Sequence, residues 1–268
     1  MAKVLLLRLE GPLQSWGGRS RWDVRDTEAE PTKSGVIGLL GCALGYGIGD
    51  RRLETELDAG LLFGVRVERA GRRVRDYQTI AGFLPTADGR YKHTGVKTST
   101  NLRALQDDPD VEPATVQSPR FYLEDAAFLV GLAGREANSA ADALLDRCAA
   151  AMRDPQWPLY LGRKACVPTR PIMEEVTDRY ESLEAALRQH PWSWLGGGAR
   201  ERRSRDSRNP TRPVAEERLV AYLEDPAGEL VRQDAVRINR ARQYDFRSMR
   251  ALDGPAPPRR EDSPQCSS

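Results

Sequence analysis

The sequence predicts an α+β protein: a ferredoxin-like (RRM-like) domain with an inserted thumb-like hairpin, then a smaller β-rich C-terminal part. Three observations carry that expectation. Segments with strand and helix patterns follow one another as βαβ, β, then βα. A stretch of about forty residues, 80–118, interrupts them with Gly, Pro, Asp, Thr and Ser and little core-forming periodicity. Beyond Pro158 the pattern changes to short extended segments and an arginine-rich loop.

Val4–Leu9 is continuously apolar, as a buried central strand requires. Val36, Ile37, Leu39, Leu40, Ala43 and Leu44 recur at helical spacing, which predicts a helix over 34–46. Glycines at 35, 38, 41 and 45 weaken that helix by roughly 1 kcal/mol each relative to alanine, and allow close backbone approach in return. Leu61–Glu68 alternates as a strand, and Arg72–Thr79 is its partner across an Ala70-Gly71 turn. Phe121–Leu132 holds another strand and Ala137–Met152 an amphipathic helix. Loops as long as 80–118 inside a compact domain are functional or disordered, so this one reads as a projecting arm.

In the C-terminal region, 159–252, Leu159–Pro168 reads as a turn with a short strand and Asp178–Gln189 as a helix. Residues 196–213 are Gly/Arg-rich and expected to be flexible. Glu217–Leu223 and Glu229–Ile238 read as a hairpin closed by Asp225-Pro226-Ala227-Gly228. From 253 to 268, prolines, charges and serines predict a disordered tail. The first domain is accordingly bounded at 1–158.

Composition narrows the function. With 40% apolar and 30% charged residues in 268, the chain can bury a sizeable core. Its net charge of +2 creates no global field for nucleic acid, so any RNA affinity must come from local patches. Lysine occurs only at 3, 33, 92, 97 and 164, and the other basic residues are arginine, whose planar fork suits phosphates and bases. Genomic base composition produces the same bias. Cysteines at 42, 148, 166 and 266 show no metal or C-x-x-C spacing, so reduced thiols are expected. Arg8 and Glu10 cut the first apolar run short of a secretory signal. The apolar run 35–49 falls short of the roughly 20 residues a membrane span needs. A cytoplasmic protein without membrane partners is expected.

Catalytic signals are thin. His93, with Tyr91, Lys92 and Lys97, could serve a metal-independent ribonuclease as base, phosphate ligand and positioning group; the blander reading, and the favoured one, is a solvated loop histidine. His190 precedes Pro191 at a helix end and suits a dipole partner. The chain has no nucleophile elbow, no two-metal acidic cluster, and no glycines before Lys33 to make a phosphate loop. Neither cofactor nor metal is expected.

RNA binding has more support. Gln14, Ser15, Trp16, Arg19, Arg21, Trp22 and Arg25 supply donors, cations and aromatic faces in one loop. Directly after it, Pro31-Thr32-Lys33-Ser34-Gly35 opens the first helix, whose unpaired N–H groups suit a phosphate. Trp16 and Trp22 could instead plug the core.

These residues also carry a family resemblance. Leu7-Arg8-Leu9-x-Gly11-Pro12-x-Gln14-x-Trp16-Gly17 and Pro31-Thr32-Lys33-Ser34-Gly35-x-x-Gly38-Leu39-Leu40-Gly41 resemble the CasD family, the CRISPR Cascade subunit that grips the 5′ end of the guide RNA. Arg75-Asp76-Tyr77-Gln78-Thr79 is similar to that family's strand into a thumb-like hairpin. Gln117-Ser118-x-Arg120-x-Tyr122-Leu123 is similar to the return strand. Tyr160-Leu161-Gly162-Arg163-Lys164-x-Cys166-x-Pro168 matches a further motif, and the four stand in the family's order. Asp/Pro-rich 106–110 departs from the pattern, and Arg237, Arg240, Arg242, Gln243 and Arg247 match a C-terminal basic strand only loosely.

The resemblance implies a non-catalytic subunit that holds the 5′ handle of crRNA, contacts the Cascade backbone and large subunits, and meets target DNA only through the complex. Lys33, Ser34, Arg163 and Lys164 would position phosphates, with Arg19, Arg25, Arg75 and Arg120 as further RNA contacts. Gln14 would reach a base edge, and Trp16 or Tyr77 would stack on a base or pack beneath it. Relatives in another CRISPR subtype cleave precursor RNA themselves, and that alternative would fall on Tyr91, His93 and Lys97.

Overall fold

A computed structural model describes residues 1–18, 24–86, 88–92, 101–191, 219–238 and 243–254. Its body is an antiparallel sheet with helices on both faces. Strand β1 (Val4–Gln14) runs into helix α1 (Lys33–Leu44), a π-helical turn (Leu53–Asp58) and strand β2 (Leu61–Arg69). Strand β3 (Arg72–Gly82) leads to two short strands, β4 (Leu84–Pro85) and β5 (Tyr91–Lys92), and helix α2 (Leu102–Gln106). Strand β6 (Ala114–Gly134) returns to the body and continues into helix α3 (Ser139–Arg153) and strand β7 (Met173–Thr177). Helix α4 (Leu183–Gln189) and strands β8 (Ala221–Glu224), β9 (Leu230–Arg237) and β10 (Gln243–Leu252) complete the order.

The strands line up as β7-β1-β6-β2-β8-β10-β9, with β3 attached to β6 outside that path. The sheet therefore runs without a break across residue 158. Alternation along β1 explains the two layers. Leu5, Leu7 and Leu9 join the core beneath α1 and α3, with Ile37, Leu40, Phe128 and Leu145. Val4 and Leu6 face the other side and pack with Leu129, Leu183 and Ala186 of α4. Glycine makes room there: a Cβ on Gly131 or Gly64 would lie 2.6 Å from a methyl of Leu183 or Leu187.

Local signals set the helix ends. Thr32 caps α1 by accepting from the Gly35 N–H, and Gly45 ends it at φ 75°, a left-handed geometry that glycine adopts without strain. Asn138 and Ser182 cap α3 and α4 in the same way.

The arm is a two-stranded ladder. Arg72 through Gly82 pair with Glu124 back to Ala114, about 36 Å at ~3.3 Å per residue. Gly71, at φ 70°, makes the turn into it; a Cβ there would strike the Glu124 carbonyl at 2.5 Å. Among the described residues, the tip elements β4, β5 and α2 make no substantial contact with an element of the body.

Several expectations change. Leu61–Glu68 and Arg72–Thr79 do not pair with each other across Ala70-Gly71: both lie against β6, β2 on its Ala127–Gly134 stretch and β3 on its Ala114–Glu124 stretch. Glu217–Leu223 and Glu229–Ile238 do not form a hairpin: β10 lies between β8 and β9, and Met249 pairs with Glu224 on one side and Leu230 on the other. The 225–228 turn steps across that strand, and Gly228 permits it, because a Cβ would meet the Met249 backbone at 2.3 Å. Leu159–Pro168 is turns without a strand, and the helix expected from Asp178 begins at Leu183. Strand β7 escaped the sequence pattern, since its paired glutamates break the alternation of an edge strand. The arginine-rich 196–213 loop and the tail beyond 254 lie outside the described residues. Among the described residues, no helix is long and apolar enough to cross a membrane.

Candidate nucleic-acid interface

Where β1 leaves the sheet, its polar residues turn inward. Gln14 is fully buried; its amide donates to the Leu9 carbonyl at 3.1 Å and the Ala126 carbonyl at 2.9 Å, and its oxygen accepts from the Trp16 indole at 3.0 Å. Trp16, 1% exposed, lies against the first turn of α1, where a Cβ on Gly35 would be 2.9 Å from its ring. Gln14 and Trp16 thus leave the expected set of base contacts. A buried amide needs its hydrogen bonds satisfied, and the nearby backbone satisfies them.

Lys33 is the larger correction. It is 1% exposed, and its ammonium donates to the carbonyls of Asp58 at 2.8 Å and Leu61 at 2.9 Å and pairs with Glu224 at 3.0 Å. The Lys33 N–H, a group a phosphate would have used, donates to the Asp234 carboxylate at 2.7 Å. Asp234 is in turn held by Arg247 at 2.8 Å. The start of α1 is therefore neutralised by carboxylates of the chain's own C-terminal strands. Half-buried Ser34 places its hydroxyl 3.4 Å from that of Thr32, inside the same capped turn.

The remaining candidates gather at the base of the arm. The Arg25 N–H donates to the Pro119 carbonyl at 3.0 Å and the Phe121 N–H to the Arg25 carbonyl at 2.8 Å, which ties this segment to β6 beside Arg120. Arg163 donates to the carbonyls of Phe121 at 3.0 Å, Arg25 at 2.8 Å and Asp26 at 3.3 Å, and its guanidinium lies 4.7 Å from the Tyr122 ring centre. Contrary to expectation, that fork is engaged by protein carbonyls. Gly162 makes its turn possible: at φ 95°, a Cβ there would sit 1.8 Å from the Ser15 carbonyl oxygen.

Arg120 is different. It is half-buried, its Nε is sealed from solvent, and that atom finds no hydrogen-bond partner among the described residues. A buried donor left unpaired costs about 1–3 kcal/mol. Exposed Arg25 lies beside it, and Asp76 stands directly across the ladder from it; exposed Arg75 and Tyr77, the latter 56% exposed, are therefore on the opposite face of the arm, and exposed Lys164 follows Arg163 in its turn. In the ladder Arg75 faces Phe121 and Tyr77 faces Pro119. Arg73, which motif reading passed over, stands one step along that face, stacked 4.4 Å from the Phe121 ring centre and paired with Asp26 at 2.5 Å. Its signal was the Arg73-x-Arg75-x-Tyr77 alternation on one strand.

Other expected residues fall elsewhere. Arg19, Trp22, His93, Lys97, Arg240 and Arg242 lie outside the described residues, and Tyr91 is half-buried in β5. His190 is buried, with its Nδ1 3.1 Å from the Tyr180 hydroxyl and its Nε2 3.5 Å from Glu174. The His190 hydrogen bond and the Arg8 guanidinium hold the Glu174 carboxyl far below the usual carboxylate range. Burial pushes the Cys148 thiol up to about 12.

Comparison with known proteins agrees with this architecture. The CRISPR system Cascade subunit CasD of Escherichia coli K12 is 31% identical over 199 residues, 71% of this chain and 79% of that protein. A chain of a solved CRISPR RNA-guided surveillance complex superposes with a TM-score of 0.64 at 29% identity, covering 95% of this chain and 91% of that one. A crystal structure of a Cas protein gives 0.60 at 32% identity, over 95% and 98%. The family model described as CRISPR-associated protein (Cas_Cas5) matches residues 4–249, and the chain belongs to that family.

Proposed function

We propose that this protein is a non-catalytic subunit of a Cascade-type interference complex and that it holds the 5′ handle of crRNA at the base of its arm. Arg120 is the observation that carries the reading. It is a guanidinium whose Nε lacks an acceptor among the described residues, set where two strands and a loop return meet, with exposed Arg25 beside it and exposed Arg75 and Tyr77 on the other face of the same ladder. Cations on phosphates beside an aromatic face are what single-stranded RNA requires. The similarity to CasD supports the complex, and with it the backbone and large subunits as partners and target DNA as an indirect one.

Two structural readings go with it. The β1-α1-β2-β6-α3-β7 order with strand order β7-β1-β6-β2 supports a ferredoxin-like body. The β3–β6 arm would be the thumb that meets the neighbouring backbone subunit.

Binding of handle RNA, followed across a salt series, tests the site. Arg120→Ala is expected to lower affinity about 10- to 100-fold, the cost of one charge-assisted hydrogen bond. Its salt slope should fall by about 0.7 for each phosphate that is no longer neutralised. Unchanged affinity would overturn the reading. Discrete cleavage of repeat RNA in EDTA by the wild type would replace it with the ribonuclease alternative.

A further inference from the structure

We infer that Arg163 is a positioning residue for RNA rather than an RNA contact: it sets the Arg25–Arg120 pair by gripping the backbone beneath it. The inference rests on the arm-base reading above.

Three pieces of chain converge on this side chain. One nitrogen of its fork holds the Phe121 carbonyl of β6, and the other holds the carbonyls of Arg25 and Asp26. Its plane stacks near Tyr122, which shares the Arg120 strand. The turn that carries it is itself fastened. The Ser15 N–H donates to the Leu161 carbonyl, the Leu161 N–H to the Cys166 carbonyl and the Cys166 N–H to the Arg163 carbonyl. Gly162 presses against Ser15, and the Ser15 hydroxyl donates to the same Phe121 carbonyl at 3.3 Å. The segment leaving β1 is anchored at one end by Trp16, whose N–H donates to Thr27 and whose carbonyl accepts from Glu28. At the other end it is anchored by Arg25, whose carbonyl Arg163 takes.

Arg163 is therefore the bolt between the return of this segment and the strand that bears Arg120. A planar fork can span carbonyls on two separate strands, whereas the single ammonium of lysine cannot reproduce that geometry. A phosphate contact, by contrast, tolerates lysine, because charge dominates it.

Handle-RNA affinity and its salt dependence, measured on Arg163→Ala, Arg163→Lys, Arg120→Ala and the Arg25→Ala/Arg120→Ala pair with and without Arg163→Ala, decide the matter. If Arg163 positions, Arg163→Ala loses roughly tenfold or more in affinity, and its salt slope falls no further than that of the Arg25→Ala/Arg120→Ala pair. Arg163→Lys, which keeps the charge and holds the test should the alanine variant not fold, loses about as much. Adding Arg163→Ala to the Arg25→Ala/Arg120→Ala pair should cost almost nothing further. Wild-type affinity in Arg163→Ala overturns the inference. So does rescue of affinity by Arg163→Lys, the mark of a charge on a phosphate rather than a fork spanning carbonyls. Wild-type affinity in Arg120→Ala removes the RNA reading itself and this inference with it.

Discussion

At the residue scale the arginines and lysines divide by what lies opposite them. Lys33 meets two carbonyls and a carboxylate in a site it barely leaves, while the Arg120 Nε meets no acceptor among the described residues. Both sit in motifs that resemble the same family, and motif reading gave both the same role. Burial separates them, because an ammonium withdrawn from water must be paired where it lies. Removing Lys33 leaves the Asp58 and Leu61 carbonyls without this donor, while Glu224 keeps Arg135 and the Phe63 N–H. Lys33→Ala is expected to lower stability in urea unfolding by about 1–3 kcal/mol, as for leaving buried carbonyls unsatisfied. The salt slope of RNA binding in the folded variant should not move. A lower slope with unaltered stability would return Lys33 to the RNA site.

At the element scale, β6 connects body and arm. Its Ala126–Ala133 stretch pairs with β1, and its Ala114–Glu124 stretch pairs with β3. The arm's ladder is closed by its own hydrogen bonds, and among the described residues its tip makes no substantial contact with an element of the body. Joining Gly82 to Ala114 through an Asn-Gly turn should therefore leave thermal unfolding of the body within a few degrees of the parent, since two-residue hairpins favour that turn. The same excision should abolish whatever assembly the tip mediates, read as co-purification with the other complex subunits. A body that fails to fold would show that the tip is part of the core. The arm was visible as an interruption of periodicity, but its register was not. Only pairing with β6 determines which residues share a face, so Arg73 emerged beside Arg75 and Tyr77 only in the folded chain.

For the whole molecule, the sheet face beneath α4 holds a buried charge lattice. Arg8 bonds Glu68 and Glu174, Arg66 bonds Glu68 and the last carbonyls of α4, and His190 closes on Glu174. It joins β7, β1, β2 and α4 in one network. Because Glu174 is held below its ordinary value of 4.5, the unfolded chain takes up a proton there before the folded one does. Its contribution is fully present above that value and drains away as pH falls through and below it. Burial holds the carboxyls of Glu30 and Asp58 high, and they push the other way. Glu174→Gln should unfold at lower urea than wild type at pH 7, with the gap narrowing by pH 3. A constant gap across that range would exclude the linkage.

Residue order and spacing alone determined the strands 4–9, 61–68 and 72–79, the two long helices, the arm's place in the chain and the family resemblance. Each of these is a local period or a run of neighbours, legible without knowing what lies across the fold. Tertiary structure decided the rest. It threaded β10 between β8 and β9, supplied Glu224 and Asp234 to the start of α1 from about two hundred residues away, and turned Gln14, Trp16 and Arg163 onto the chain's own backbone. Whether a polar side chain serves a ligand or the fold depends on which acceptor comes within reach, and distant chain provides most of those acceptors.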